Sequence, residues 1–150
     1  MWIPRSIEPR LRRSARTRPV LVLTGARQTG KTSTLRRLFP DYGFVSLDLP
    51  TEAEQAEKEP SGFLRRHPPP VIIDEVQYAP GLFRYIKVAV DAARARNGQF
   101  LLTGSQKFTL MKSVSESMAG RADILELETL SFAEMRAALR GRWTFGLRAS

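Results

Sequence analysis

The sequence predicts a three-layer α/β fold around a mainly parallel five-stranded sheet. Three observations support this prediction: apolar runs of strand length recur along the chain, amphipathic helical stretches separate them, and a glycine-rich loop joins the first run to a helix. Strands that alternate with helices pair in parallel through right-handed crossovers, which places helices on both faces of the sheet. At 150 residues the chain has the length of one domain.

The elements can be assigned in chain order from apolar spacing and turn residues. Ile7, Leu11 and Ala15 lie on one face of a short predicted N-terminal helix. The stretch 51–67 is polar and favours helix, but Pro60 and Gly62 interrupt it, and it is interpreted as a solvated connector. The predicted strands cover residues 20–23, 42–49, 71–73, 99–106 and 122–130. The later predicted helices cover residues 31–39, 81–98, 108–121 and 131–139.

The composition excludes several classes of protein. The chain is 42% hydrophobic with mixed charges, as globular proteins are, and it contains no cysteine for a disulfide or a cysteine metal site. No apolar run approaches the roughly 18 residues that indicate a transmembrane helix. The N-terminus also lacks the apolar region of a signal peptide. We therefore expect a cytoplasmic protein without a membrane partner.

The net charge of +9 is concentrated at the two ends of the chain. Residues 1–18 contain six arginines and one acid, residues 136–150 contain four arginines and no acid, and residues 19–135 contain fourteen basic and fourteen acidic residues. We expect a basic N-terminal segment, a neutral core and a basic C-terminal tail with these bounds. The arginine-rich ends are candidate nucleic-acid contacts, but they can equally be solvated or dock another domain.

The loop after the first predicted strand has the composition of a phosphate-binding loop. Its sequence, GARQTGKT (25–32), fits G-x-x-x-x-G-K-[ST]. Two glycines allow successive backbone N–H groups to point inward, and the following helix adds its positive dipole end. We expect Lys31 to reach the β- and γ-phosphates of a nucleotide and the Thr32 hydroxyl to bind Mg²⁺. The predicted nucleotide-binding residues are Gly25, Ala26, Arg27, Gln28, Thr29, Gly30, Lys31, Thr32 and Ser33.

Two acids, Asp74 and Glu75, end the third predicted strand in the sequence VIIDEVQ. At the carboxyl end of a parallel strand they face phosphates held by a neighbouring loop. We expect Asp74 to hold Mg²⁺ and Glu75 to polarise the attacking water. The strand at 42–49 falls between the two motifs in sequence, which resembles the P-loop class with an extra strand between the P-loop and acidic strands.

Six segments together carry a family resemblance: IPRSIEPRL, RPVLVLTGARQTGKTSTLRRLF, VSLD, VIIDEVQ, FLLTGSQ and SESMAGR, within about residues 3–135. In order and spacing they resemble a group of prokaryotic AAA-superfamily ATPases, in which a C-terminal domain of unknown function follows the ATP-binding core. The resemblance implies an AAA/ASCE-type P-loop NTPase fold, ATP and Mg²⁺ as cofactors, and ATP hydrolysis. It further implies that the chain is a fragment or a reduced member, without the lid and the C-terminal domain.

The resemblance also assigns Ser105 and Arg121. AAA-type ATPases carry a polar residue that senses the γ-phosphate where this chain has Ser105, and a simple turn is the alternative. They place an arginine late in the core to reach the γ-phosphate of a neighbouring subunit, where this chain has Arg121. A solvated arginine or a salt bridge to Asp123 is the alternative for Arg121. The arginine-finger role requires a homo-oligomer.

Three functions are compatible with these motifs. The first is an ATPase core whose Mg²⁺-dependent hydrolysis drives or gates an unknown effector. The second is a nucleotide-gated DNA-binding or regulatory module with negligible turnover. The third, a small-molecule P-loop kinase, is disfavoured because the hydrolytic pair of Asp74 and Glu75 is present and no arginine-rich lid lies between the late strands.

Overall fold

A computed structural model describes residues 5–105, 107–129 and 132–148 of the chain. Five strands form one sheet in the order β2-β3-β4-β1-β5, and every neighbouring pair is parallel. The prediction of an α/β fold with a mainly parallel five-stranded sheet is confirmed. The strands are β1 (Val20–Thr24), β2 (Gly43–Ser46), β3 (Val71–Asp74), β4 (Phe100–Gly104) and β5 (Ala122–Glu126).

Helices cover both faces of the sheet. The helices are α1 (Glu8–Thr17), α2 (Lys31–Leu38), α3 (Pro50–Lys58), α4 (Pro60–Arg66), α5 (Leu82–Ala92), α6 (Lys107–Ser117) and α7 (Phe132–Arg148), with a 3-10 turn at Val76–Tyr78. Alternate residues of β1 enter different cores: Leu21 packs with α1 and α2, whereas Val22 packs with α3 to α6. A strand that is buried on both faces reads as a nearly continuous apolar run, as residues 20–23 of β1 do.

The strand order differs in one respect from the order of the motifs in sequence. β2, which lies between the P-loop and the acidic strand in sequence, forms an edge of the sheet beside β3. The strand that separates β1 from β3 in space is β4. The carboxyl ends of β1, β4 and β3 therefore lie next to one another at the same end of the strands. There Thr24 lies opposite Gly104, and Asp74 lies opposite Ser46.

The interpretation of residues 51–67 as a solvated connector was wrong. The stretch is helical, as its sequence indicated, and forms most of α3 and all of α4. It is not a solvated connector, because the two helices pack on the sheet. Ala56 and Phe63 are fully buried in the same core as β1 and β3. The polar composition is misleading because each helix has a fully buried residue on its inner face and mostly polar residues elsewhere.

Replacing Phe63 with alanine should lower the free energy of unfolding by about 3 to 5 kcal/mol, because the change leaves a cavity in the core. Leu49→Ala is the control, since Leu49 is 59% exposed and should change stability by no more than about 0.5 kcal/mol. Urea denaturation followed by circular dichroism measures both. Equal losses for the two variants would contradict the packing of α4.

The predicted N-terminal helix is present and belongs to the core. α1 buries Leu11 and Ala15 in the cluster that contains Leu21 and Leu35, while Ile7 packs beside them. The described part of residues 1–18 is therefore not a separate arm, although its outer face is rich in arginine.

Several predicted boundaries shifted. The strands predicted over 42–49 and 122–130 end earlier, at Ser46 and Glu126. The helix predicted over 81–98 ends at Ala92, and Asn97 and Gly98 belong to the turn that leads into β4. At the other end of the chain, the boundary predicted between residues 135 and 136 lies inside α7. Within the described residues, no helix is both long enough and apolar enough to cross a membrane.

Candidate nucleotide-binding site

The loop of residues 25–30 joins β1 to α2 and is shaped by its two glycines. Gly30 has a φ of +89°, a conformation that favours glycine, and it caps the start of α2. A Cβ atom on Gly25 would lie 2.5 Å from the carbonyl oxygen of Leu127, too close for any other residue. The Thr29 hydroxyl donates a hydrogen bond to the Ala26 carbonyl at 2.9 Å, which closes the loop from within.

Lys31 places its ammonium group against the inside of this loop. Its Nζ donates hydrogen bonds to the carbonyl oxygens of Gly25 and Ala26, both at 2.9 Å. The side chain is 5% exposed, and burial lowers the pKa of Lys31 against the opposing effect of Glu75 and Asp74. The cation is thus held at the start of the helix, where anions bind.

Asp74 is the centre of a cluster of hydroxyl groups at the carboxyl edge of the sheet. Its Oδ1 accepts hydrogen bonds from the hydroxyls of Thr32 and Thr103, the latter at 2.7 Å. Its Oδ2 accepts a hydrogen bond from the Ser46 hydroxyl at 2.8 Å. The predicted metal-binding pair, Thr32 and Asp74, is therefore in direct contact.

These oxygen atoms fit Mg²⁺ better than a transition metal. A carboxylate and a hydroxyl are the hard ligands that Mg²⁺ takes, usually together with water and substrate phosphates. Among the described residues, no three or more His, Cys, Asp or Glu side chains are grouped so that they could hold a metal ion. A metal at Thr32 and Asp74 would therefore need further ligands from outside the protein, as a nucleotide can provide.

Glu75 lies beside this cluster in a left-handed backbone conformation, with a φ of +55°. Its backbone N–H donates to the Thr103 hydroxyl at 3.1 Å. Its Oε2 accepts hydrogen bonds from the Ser105 hydroxyl at 3.1 Å and from Nε2 of Gln77 at 2.5 Å. The fold thus brings the predicted water-polarising residue together with the predicted sensor, and unusual backbone conformations of this kind concentrate at functional sites.

An open cleft of about 340 Å³ lies between the loop and the acidic strand. Asp48, to which no role was assigned from the sequence, also reaches the cleft. Gly25, Ala26 and Thr29 do not line the cleft. The residues that line it are Arg27, Gln28, Gly30, Lys31, Thr32, Ser33, Asp48, Asp74 and Glu75.

Arg121 lies near the amino-terminal ends of the strands, whereas the P-loop lies at their carboxyl ends. The Arg121 carbonyl accepts a hydrogen bond from the N–H of Val20, at the start of β1. Its guanidinium donates two hydrogen bonds to Asp91 of α5, at 2.7 and 3.1 Å. The alternative of a salt bridge to Asp123 was wrong, because Asp123 pairs with Arg18. Arg121 is thus not near the cleft of its own subunit, and a role in a neighbouring subunit stays a prediction.

Sequence reasoning missed Arg5, a buried residue whose side chain contacts the backbone of the P-loop. The Arg5 guanidinium donates to the carbonyl oxygens of Thr29, at 2.7 Å, and of Glu128, and Nε lies 3.3 Å from a carboxylate oxygen of Glu134. Its side chain therefore ties the P-loop to α7. The segment IPRSIEPRL contains Arg5, but nothing in its arginine-rich sequence separates this buried residue from the exposed ones.

The fold and the cleft together define a class of protein. A parallel sheet whose P-loop strand and acidic strand are separated by one further strand, with Lys31, Asp74 and Glu75 at the shared cleft, is the architecture of a P-loop NTPase with the additional strand.

Comparison with known proteins identifies the family. The model of a family described as an AAA domain matches residues 17–136, so the chain belongs to this AAA-domain family. The resemblance to AAA-superfamily ATPases is thereby confirmed. The "Uncharacterized protein Rv2008c" of Mycobacterium tuberculosis and the "Uncharacterized protein Mb2031c" of Mycobacterium bovis are each 35% identical over 147 residues. The match covers 95% of this chain and 32% of each relative.

Two solved structures share the fold of this chain. The Walker-type ATPase PABY2304 of Pyrococcus abyssi superposes with a TM-score of 0.61 at 18% identity, covering 89% of this chain and 55% of that one. A DNA replication initiation factor superposes with a TM-score of 0.57 at 13% identity, covering 92% of this chain and 48% of that one. At these identities the likeness concerns the fold.

Proposed function

We propose that the chain binds Mg·ATP and hydrolyses it, as the core of an AAA-type ATPase whose turnover drives or gates an effector. The observation that carries the proposal is that three groups lie together at one cleft. The Lys31 ammonium lies inside the loop, and the Thr32 hydroxyl donates a hydrogen bond to Asp74. The Glu75 carboxylate accepts a hydrogen bond from Ser105. This combination supplies a cation, a site for a hard metal ion and a carboxylate beside bound phosphates. The proposed compartment is the cytoplasm.

Each residue has a distinct part in this proposal. Lys31 exchanges its two carbonyl acceptors for β- and γ-phosphate oxygens, and the loop N–H groups bind the remaining phosphate oxygens. Thr32 and Asp74 would hold Mg²⁺, which would neutralise phosphate charge. Glu75 orients and polarises the attacking water, and Ser105 contacts the γ-phosphate. The presence of Glu75 favours hydrolysis over transfer to a small-molecule acceptor.

Magnesium dependence of ATP binding tests the metal site. Thr32→Ala removes the hydroxyl that contacts Asp74, so we expect ATP affinity no longer to rise when Mg²⁺ is added. Ser33→Ala is the matched control, because it deletes a hydroxyl from the next residue but keeps the backbone N–H. Fluorescent ATP is titrated against both proteins with Mg²⁺ and with EDTA. A Thr32→Ala protein with the wild-type response to Mg²⁺ would exclude this metal ligand.

The arginine-rich outer face of α1 favours a second candidate function, a nucleotide-gated module that binds DNA. Arg10, Arg12, Arg13 and Arg16 are exposed on this helix. Arg5 is excluded from such a contact, because it is buried beneath the P-loop. Deleting residues 1–18 would therefore damage the core, and point substitutions on α1 are the better probe.

DNA affinity should fall steeply with salt if α1 contacts the phosphate backbone, with log K dropping by about 0.9 per phosphate for each unit of log salt. Replacing Arg10, Arg12 and Arg13 with glutamine should flatten this slope. The control removes two exposed arginines from other helices, Arg65 and Arg84. Fluorescence anisotropy with duplex DNA measures the slopes. Affinity that ignores salt, or that the α1 variant keeps in full, would refute the DNA contact.

Substituting Asp91 distinguishes an arginine finger at Arg121 from a structural role of the Arg121–Asp91 ion pair. If Arg121 reaches a neighbouring subunit, Arg121→Ala should reduce the ATPase rate by about 10³- to 10⁵-fold. Asp91→Ala breaks the same ion pair but keeps the arginine, so its rate should stay near that of the wild type.

Mixing two inactive variants provides the second readout for Arg121. Combining Arg121→Ala with Glu75→Gln should restore part of the activity, because one mixed interface contains an intact Glu75 and an intact Arg121. The specific activity of the wild type should also rise with protein concentration. Equal losses in Arg121→Ala and Asp91→Ala, with no rescue on mixing, would leave Arg121 with a structural role.

A further inference from the structure

Gln77 lies within hydrogen-bonding distance of two residues of the proposed hydrolytic site. It follows Glu75 by two residues in the 3-10 turn, and its side chain is buried, with 7% exposed. Its Nε2 donates to Oε2 of Glu75 at 2.5 Å and lies 3.3 Å from the Ser105 hydroxyl. Because Ser105 donates to the same Oε2 at 3.1 Å, the three side chains form a closed triangle.

The orientation of the Gln77 amide is determined by its partners. A carboxylate can only accept hydrogen bonds, so the group that faces Glu75 must be the NH₂ and not the carbonyl of the amide. The carbonyl oxygen, Oε1, is buried and accepts no hydrogen bond from the described residues. An unsatisfied buried acceptor is unfavourable, which indicates that the contact with Glu75 determines this arrangement.

The neighbouring strand leaves room for this amide. A Cβ atom on Gly104 would lie 2.8 Å from Oε1 of Gln77 and 2.1 Å from a methyl group of Leu110. The glycine that precedes Ser105 therefore allows Gln77 to pack against the end of β4. This contact places the amide between the end of the acidic strand and the proposed sensor.

We propose that Gln77 is a positioning residue that holds the Glu75 carboxylate, together with Ser105, in the orientation needed to polarise the attacking water. This inference rests on the proposed function of Glu75. Both hydrogen bonds end on Oε2, so neither of them uses the other carboxylate oxygen, which is left for water. Without Gln77, the carboxylate keeps its charge but loses one of the two bonds that fix its rotamer.

Steady-state kinetics separates positioning from packing. Gln77→Met fills the same space without a donor, so its thermal midpoint should stay near that of the wild type while kcat falls about 10- to 100-fold, since a small misplacement can cost about 100-fold. KM for ATP should change by less than about 2-fold, because Gln77 does not line the cleft. Gln55→Met is the control on an exposed glutamine of α3.

The effect should also depend on Glu75. In a Glu75→Gln background, Gln77→Met should lower the residual rate no further, because the carboxylate that Gln77 positions is already absent. A fall in kcat that is equally large in both backgrounds would overturn the proposal, as would an unchanged kcat in the single variant.

A measurement without turnover distinguishes the failure of this inference from the failure of the proposed function. The side-chain NH₂ resonances of Gln77 should be protected from exchange in the nucleotide-free protein. They should lose this protection in Glu75→Ala but not in Asp48→Ala, which removes another carboxylate of the cleft. If the wild type does not hydrolyse ATP, the proposed function fails while these resonances still decide whether Gln77 holds Glu75. Unprotected resonances, or the same response to both variants, would overturn the role of Gln77.

Discussion

Lys31→Ala should weaken the binding of Mg·ATP by about 100-fold. Charge-assisted hydrogen bonds contribute about 1.5 to 3 kcal/mol each, and each 1.4 kcal/mol changes affinity tenfold. Lys31 is the only lysine that lines the cleft among the described residues. Titration of fluorescent ATP measures the loss. Lys58→Ala is the control, because Lys58 is an exposed lysine that pairs with Glu54 on its own helix.

The same substitution should leave the fold intact. Burial lowers the pKa of Lys31, so at neutral pH its ammonium lowers the free energy of unfolding. This unfavourable contribution disappears only as the pH rises through the lowered pKa towards the ordinary value for lysine. The urea midpoint of Lys31→Ala at neutral pH should therefore stay close to that of the wild type, because the loss of the buried ammonium offsets the loss of its hydrogen bonds to Gly25 and Ala26. Equal ATP affinities for Lys31→Ala and Lys58→Ala would contradict the assignment of the phosphate site.

Glu75→Gln should lower turnover by about 10²- to 10⁴-fold without weakening ATP binding. Glutamine keeps the size of the side chain and can still accept the hydrogen bonds from Ser105 and Gln77, but it cannot polarise water as a carboxylate does. General-base groups typically contribute about 10²- to 10⁴-fold, so we expect a fall of this size in the rate of phosphate release. The ATP complex should persist long enough to be isolated by gel filtration.

Two other acids of the cleft provide comparisons for Glu75. Asp48→Asn removes a charge from the same cleft and should keep most of the activity. Asp74→Asn should shift the Mg²⁺ concentration required, because Asp74 contacts the Thr32 hydroxyl. A Glu75→Gln protein that hydrolyses ATP at the wild-type rate would rule out the proposed role of Glu75.

The central strands and the P-loop could be predicted from the sequence because their determinants are local. β1 is buried on both faces, so its residues 20–23 form a continuous apolar run. Gly25 and Gly30 lie where the loop needs close approach or a positive φ. The meeting of Thr32 with Asp74 followed from the rule that the carboxyl ends of parallel strands share one edge of the sheet.

The remaining features depend on contacts between residues far apart in the chain. Phe63 is buried because α4 packs on the sheet, although its local sequence is polar. Arg5 is one of six arginines in the first 18 residues, and only the fold shows that it supports the P-loop. Arg121 likewise pairs with Asp91, 30 residues away on α5, and not with Asp123, its near neighbour in sequence.

Phosphate release from Mg·ATP by the wild-type chain is the most direct test of the proposed function. We predict steady release that requires Mg²⁺, stops when EDTA is added and falls by about 10²- to 10⁴-fold in Glu75→Gln. The substrate must be bound at the concentration used, which the fluorescent titration establishes on the same sample. Saturating ATP binding with no phosphate release above the background would contradict the account and would favour a nucleotide-gated module without turnover.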